Sequence, residues 1–328
     1  MFKYQWIMKN LRSKIKLLGI LSLLSVSVIN AQKKETVEPI AFGDMNHWRV
    51  RQIKESKIIG GNTKYLYAIA TGDTLKDIAY KKTDSPWGVS SVLAKVKGVT
   101  KTSITVFPEK RDNGSCARLE TRIEKCTVLG LININVLASG TIFLGEMVEP
   151  IKDTNNPQSK MIAGIAFTKR PKAVQYDYKV TTGGDCIQAT GFSKQKKVNR
   201  KDMAEVQVLL QNRWEDADGN IYAKRVGTGW ERFDKTVEHW QNNHRLEVHY
   251  GNISTKSFYE PYMGLKDGEQ AYYTRNSKGN IVPIREVTWA LPTEKVTHII
   301  LQFSSSNGGA YTGSTDSKLW IDNVKLVY

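Results

Sequence analysis

Short segments of alternating apolar and polar residues, each halted by a turn dipeptide, recur along nearly the whole chain. Tyr65–Ala70, Ser103–Phe107, Leu131–Leu137, Thr141–Met147, Met161–Phe167, Ala173–Val180, Ala204–Leu210, Arg245–Tyr250 and Thr297–Phe303 read as strands. Asn113-Gly114, Ser139-Gly140, Asn156-Pro157, Gly183-Gly184, Asp218-Gly219, Asp267-Gly268 and Gly308-Gly309 supply the breaks. A period of two puts every second side chain on one face, and glycine or proline ends the run. No stretch longer than about three turns holds a 3.6-residue period. Lys235–Asn242 reads as one short helix. Many short strands with regular turns exclude a parallel α/β sheet and point to an all-β sandwich or barrel. There is no repeat, and Asp153–Ser159 is too short a linker to divide the chain. One large domain over residues 32–328, with an N-terminal extension packed on the sandwich, is therefore expected.

The formal net charge of +16 raises a nucleic-acid reading, which the N-terminus weakens. Lys3, Lys9, Arg12, Lys14 and Lys16 precede an apolar run, Leu17–Ile29, that ends at Asn30-Ala31. A basic region, a short apolar core and a small residue at the cut make an export signal. The run has 13 residues, whereas a bilayer span takes ~20. Cleavage after Ala31 is expected, giving a signal peptide over residues 1–31. It removes five of the 48 basic residues and none of the 32 acidic ones, leaving +11 on the mature chain. The expected product is a secreted or cell-envelope protein with no transmembrane span and no nucleic-acid partner. With 40% hydrophobic residues, a sizeable core is available.

Export permits disulfides, but three cysteines leave one over. Cys116–Cys126 reads as one half-buried strand with Leu119, Thr121 and Ile123 on its apolar face. Extended, it holds those two cysteines roughly 33 Å apart, far beyond the ~7 Å that a bridge tolerates. Three free, buried thiols are expected, with Cys186 the partner that geometry leaves open to either. At the C-terminus, Leu319 and Ile321 share one phase and Val324, Leu326 and Tyr328 the other. A β-bulge at Asp322-Asn323 would produce that switch and aim the Asp322 carboxylate into a loop cavity.

Four stretches, Ser85-Pro-Trp-Gly-Val-Ser90, Gly114-Ser-Cys-Ala-Arg-Leu-Glu-Thr121, Ser139-Gly-Thr-Ile-Phe-Leu-Gly145 and Ser314-Thr-Asp-Ser-Lys-Leu-Trp-Ile-Asp-Asn-Val-Lys-Leu326, carry a resemblance. Together they resemble the putative carbohydrate metabolism domain family over roughly Lys64 to Tyr328. The resemblance implies an exported, jelly-roll-like antiparallel β-sandwich with long loops that works with glycans. The family has no established reaction, so it lends no catalytic residues. In similar jelly-roll modules an aspartate of the last strand helps hold a structural Ca²⁺; Asp322 matches that position, with Asp44 and Asp316 as companions. Calcium needs six to eight oxygens.

Motifs with chemistry are sparse. Asp216–Asn220 reads as a hairpin turn at Asp218-Gly219 rather than a calcium loop, because Gly219 stands fourth and a strand begins at Ile221. His239, His244 and His249, spaced by five, converge on one metal neither on a strand nor on a helix. No nucleophile elbow, phosphate loop, His-Glu-x-x-His or Cys-x-x-Cys occurs. Trp87, Trp214, Trp230, Trp240, Tyr259, Tyr262, Tyr272, Tyr273 and Tyr311 lie near turns, where flat rings can stack on sugar C–H groups beside a few polar groups. Trp230, Trp240 and Tyr262 are the candidate sugar platforms. Trp289 and Trp320 sit in strand patterns and are assigned to the core. Lys194–Lys201, with five positive charges, reads as a solvated loop that would suit an anionic polysaccharide. The leading expectation is a non-catalytic, carbohydrate-binding protein of polysaccharide utilisation. A glycoside hydrolase or polysaccharide lyase is the rival, and a surface adhesion or structural protein stands third.

Overall fold

A computed structural model of the chain describes residues 35–128, 132–191 and 194–328. Residues 1–31, expected to be an export signal, lie outside them. The strands that position the site are β1 (Trp87–Val89), β2 (Val106–Arg111), β3 (Gly114–Glu120), β4 (Thr141–Met147), β5 (Met161–Ala163) and β6 (Ala173–Thr181). They continue with β7 (Ala204–Glu215), β8 (Ile221–Phe233), β9 (Val237–Glu247), β10 (Tyr272–Arg275), β11 (Ile281–Trp289), β12 (His298–Ser304) and β13 (Lys318–Val327).

Antiparallel pairing orders one sheet β9-β6-β13-β3-β2, with Val37–Pro39 added against β13. The other runs β12-β7-β8-β11-β10-β5-β4-β1, with Ile165–Ala166 on the outer side of β12. β4 also pairs with β12, setting Ile142 opposite Phe303, so the path from β12 round to β4 closes on itself. Two pairings in that circuit, β8 with β11 and β5 with β10, are parallel. Gly164 allows the closure. At φ 87° it bends the chain between β5 and Ile165–Ala166, and an added Cβ would lie 2.6 Å from Arg213 Nη2. All of this belongs to one compact unit, Val37–Tyr328.

Alternation decides which side chains enter the core between the sheets. Val206, Val208 and Leu210 of β7 pack there with Val174, Tyr176 and Val180 of β6 and with Leu319 and Ile321 of β13. Each such aliphatic side chain contributes on the order of 1.5–3 kcal/mol by leaving water. The intervening residues of β7, Glu205, Gln207 and Leu209, face the other way and meet a second cluster of Leu209, Trp230, Ile300 and Met263. The fold is thus all-β, as the turn-punctuated alternation implies.

Several local expectations are corrected. Lys235–Asn242 is not helical: Val237–Glu247 is β9, drawn out by pairing with β6, with Tyr178 opposite Gln241 and Val180 opposite Val237. Cys116–Cys126 is two strands, not one. Thr121 is buried and its hydroxyl bonds to Ser305 Oγ at 2.8 Å, which breaks the run; Arg122–Val128 then pairs with Ile132–Ala138 in a separate sheet. All three cysteines are free; Cys116 and Cys186 are buried and Cys126 is half-buried. Ser103–Phe107 is also split, between the hairpin Val92–Val96/Val99–Ser103 and β2. Lys196–Lys201 is an exposed strand against Asp185–Gln188, not a loop. The bulge in β13 is present: the pairing with β6 shifts between Gln175 and Asp177, and Asn323 takes φ 52°.

Candidate functional site

A cleft of about 810 Å³ opens over the face of β7, β8 and β12 that is turned away from the sandwich core. Register builds its floor. Glu205 lies between Ser304 of β12 and Arg232 of β8, and Gln207 lies between Gln302 and Trp230. Tyr262 and Lys266 reach the cleft from the loop after β8 and β9, and Tyr272 from β10. Tyr311 and the Asn307–Ala310 turn line its other end.

The floor is buried yet polar. Glu205 Oε2 accepts hydrogen bonds from Trp230 Nε1 at 3.2 Å and from Arg232 Nε at 3.0 Å. Tyr272 donates its hydroxyl to Gln207 Oε1 at 2.8 Å. Trp230 meets Tyr262 edge to face with ring centroids 5.7 Å apart. The Arg232 guanidinium lies 3.7 Å from the centre of the Tyr262 ring, and Lys266 Nζ lies 5.1 Å from that of Trp230. Burial pushes the Glu205 carboxyl above the usual carboxylate range, an effect that Arg232 and the indole N–H partly offset. Burial and the nearby Arg225 cation hold the Lys266 ammonium below the ordinary lysine value.

Two anchors fix the segments that carry these groups. Arg225 and Glu286, both fully buried, are ion-paired, and Gln211 Nε2 donates to Glu286 Oε1 at 2.6 Å. The same pair reaches the loop: Arg225 donates to the carbonyl of Met263, and Lys266 N–H donates to Glu286 Oε2 at 2.7 Å. At the other end, buried Asp202 accepts from Ser306 Oγ, Ser314 N and Ser317 Oγ, each at 2.7 Å, and so holds the loop bearing Tyr311.

Of the candidate sugar platforms, Trp230 and Tyr262 share this cleft and Trp240 does not. Trp240 stands on β9 under Arg111, whose guanidinium is 3.8 Å from its ring centre. Trp320 is not in the core. It lies half-buried on the outer face of β13, where Lys179 Nζ is 4.4 Å from its ring centre and Glu109 Oε1 accepts its N–H at 3.0 Å. Trp289 is half-buried against the second cluster. Trp87 is 1% exposed, a core residue that donates to the Ala41 carbonyl. Sequence reasoning overlooked Glu205, Gln207, Gln302, Arg232 and Lys266. The one signal for the first two was the Glu-Val-Gln-Val alternation, which reads equally as a solvated face.

The surroundings of Asp322 do not fit calcium. Arg111 Nη1 lies 2.8 Å from Asp322 Oδ2, and Arg111 Nη2 lies 3.0 Å from Asp177 Oδ2, so a guanidinium supplies the positive charge. Asp322 Oδ1 accepts from Asn323 N–H. Asp44 and Asp316 are exposed and bonded within their own turns. Among the described residues no group of three or more His, Cys, Asp or Glu could hold a metal. Asp216, by contrast, closes the hairpin at Asp218-Gly219 by accepting from Asp218 N and Asn220 N.

The sequence profile of the putative carbohydrate metabolism domain family matches residues 61–327. The chain belongs to that family. Its motif residues are mainly structural here: Ala117 and Leu119 are fully buried, while Arg118 and Glu120 pair on the outer face. No curated protein matches the chain. Among solved structures, a putative glycoside hydrolase from Bacteroides thetaiotaomicron is similar at 16% identity and a TM-score of 0.46, over 85% of this chain and 70% of that one. A putative glycoside hydrolase from Bacteroides vulgatus is similar at 16% identity and a TM-score of 0.39, over 78% and 80%. Glycan-related function follows from family membership.

Proposed function

We propose that the protein is an exported glycan-binding protein and that the cleft over β7, β8 and β12 receives the glycan. The observation that carries this reading is the meeting of two aromatic rings, Trp230 and Tyr262, with the hydrogen-bonding groups of Gln207, Gln302 and Tyr272 in one cleft. Carbohydrate sites need both parts: flat apolar surface for C–H faces and a few fixed polar groups for hydroxyls. Export rests on the basic, apolar and small-residue pattern of residues 1–31. No helix of the described residues is long and apolar enough to cross a membrane.

Cleavage of the glycan is the second reading, and one observation favours it. Burial raises the Glu205 carboxyl in the cleft, as a general acid requires. Against it, Glu205 is ion-paired with Arg232. A glycosidase sets its acid opposite a second carboxylate roughly 5–9.5 Å away, and Glu124, Asp153 and Glu269 are the other carboxylates that line the cleft. A glycan array followed by product analysis separates the readings. Binding without new reducing or unsaturated ends is expected. Tyr262→Ala, a loop substitution, is expected to lower affinity about tenfold with little change in melting temperature. Released oligosaccharide would overturn the binding reading.

A further inference from the structure

Lys266 is a buried cation without a carboxylate. Its residue is 8% exposed, and its ammonium has one hydrogen-bond acceptor among the described residues, Oε1 of the exposed Gln270 at 3.2 Å. No carboxylate of the described residues lies within ion-pairing distance of it; the nearby Glu286 is committed to Arg225, and Glu205 to Arg232. Burying an ammonium costs free energy unless an anion and hydrogen bonds compensate. The indole face of Trp230 gives part of that compensation. The rest is missing from the chain itself.

Arg232 stands beside it with donors to spare. Its Nε is spent on Glu205, and its central carbon lies over the Tyr262 ring, but its two terminal nitrogens have no partner among the described residues. Its side chain is 23% exposed. A guanidinium held against a ring, with its two terminal nitrogens unpartnered, is preorganised for a planar or tetrahedral oxyanion. Lys266 and Arg232 thus bring two positive charges to the floor against the single carboxylate of Glu205. Glu269 and Asp153, which also line the cleft, are exposed, and Glu124, half-buried, accepts from Ile104 N–H.

Resting on the glycan-binding reading, we infer that the floor of the cleft holds a subsite for an acidic sugar, whose carboxylate or sulfate group is received by Lys266 and Arg232. The rings of Trp230 and Tyr262 have a second role in this arrangement, since they hold the cations in place. Gln207 and Gln302 remain for the neutral hydroxyls.

The test is calorimetric titration of the purified protein with three oligosaccharide sets: a galacturonate oligomer, a sulfated galactan oligomer and a neutral galactan oligomer. One or both acidic sets should bind more tightly than the neutral set, with affinity falling as salt rises. Preference between the two acidic sets identifies the group as carboxylate or sulfate. Lys266→Met keeps the apolar stem and removes the charge. It should lose roughly tenfold or more for the acidic ligand, lose clearly less for the neutral set, and melt no lower than the parent. Should that variant misfold, the salt dependence of the unsubstituted protein still decides. Equal binding of neutral and acidic sets, insensitive to salt and to Lys266→Met, overturns the acidic subsite while leaving glycan binding intact. Failure of every glycan on the array overturns the glycan reading and the subsite with it.

Discussion

Glu286 and Arg225 illustrate how a buried charge is tolerated in this protein. Neither side chain is exposed, and the carboxylate is met by Arg225, Gln211 and the Lys266 N–H. Removing one partner strands the other. Glu286→Ala should therefore cost roughly 3–5 kcal/mol in chemical denaturation, a loss that Tyr262→Ala does not share. His298 gives a pH signature. Burial and the nearby Arg213 cation lower its pKa to about 4, from 6.5. The unfolded chain then binds the proton first, so this contribution to stability is full above 6.5 and is lost as pH falls toward 4. His298→Gln should flatten the melting-temperature profile across that interval, and an unchanged slope would refute the assignment. At this scale the sequence is least readable. Trp230 and Tyr262 stood out because aromatics near turns suit sugars. Glu205 and Lys266 did not, because a charged residue in a strand or loop reads as solvated until the fold covers it.

The last strand shows an element whose form is written locally. Two apolar phases separated by Asp322-Asn323 require one extra residue, and the register against β6 has it. Asn323 suits that place twice. It tolerates φ 52°, and its Nδ2 donates to Asp177 Oδ2 at 2.8 Å. Asn323→Val combines a β-branched side chain with a left-handed backbone and loses the bond, so a destabilisation of about 2 kcal/mol or more is expected in thermal or urea unfolding. The opposite case is β9. Its stretch Lys235–Asn242 carries a helix-like spacing, yet the hydrogen-bond ladder with β6 outweighs a weak local preference. Strand existence was thus legible from alternation and turns. Strand ends were not, because Thr121 is set by Ser305, far along the chain, and the step before β2 by the Ser91 hydroxyl, outside the strand itself.

Across the whole molecule, the closed path from β12 round to β4 is what makes a cleft of a sandwich. Its interior is filled by the Leu209, Ile300 and Met263 cluster, and the polar ends of β7, β8 and β12 open into the cleft beyond that cluster. None of this is visible in a period of two, which tells inside from outside but not which strands meet. The parallel pairings of β8 with β11 and of β5 with β10 join segments distant in sequence and carry no local signature. The net charge of +16 is likewise reinterpreted: part belongs to the N-terminal segment, and two cations, Lys266 and Arg232, are concentrated at the floor of the cleft. Glycan-array binding with the bound oligosaccharides recovered and analysed tests the central claim most directly. Retention of an intact glycan, weakened by Tyr262→Ala, is the predicted result; shortened or unsaturated products, or no binding to any glycan, would contradict it.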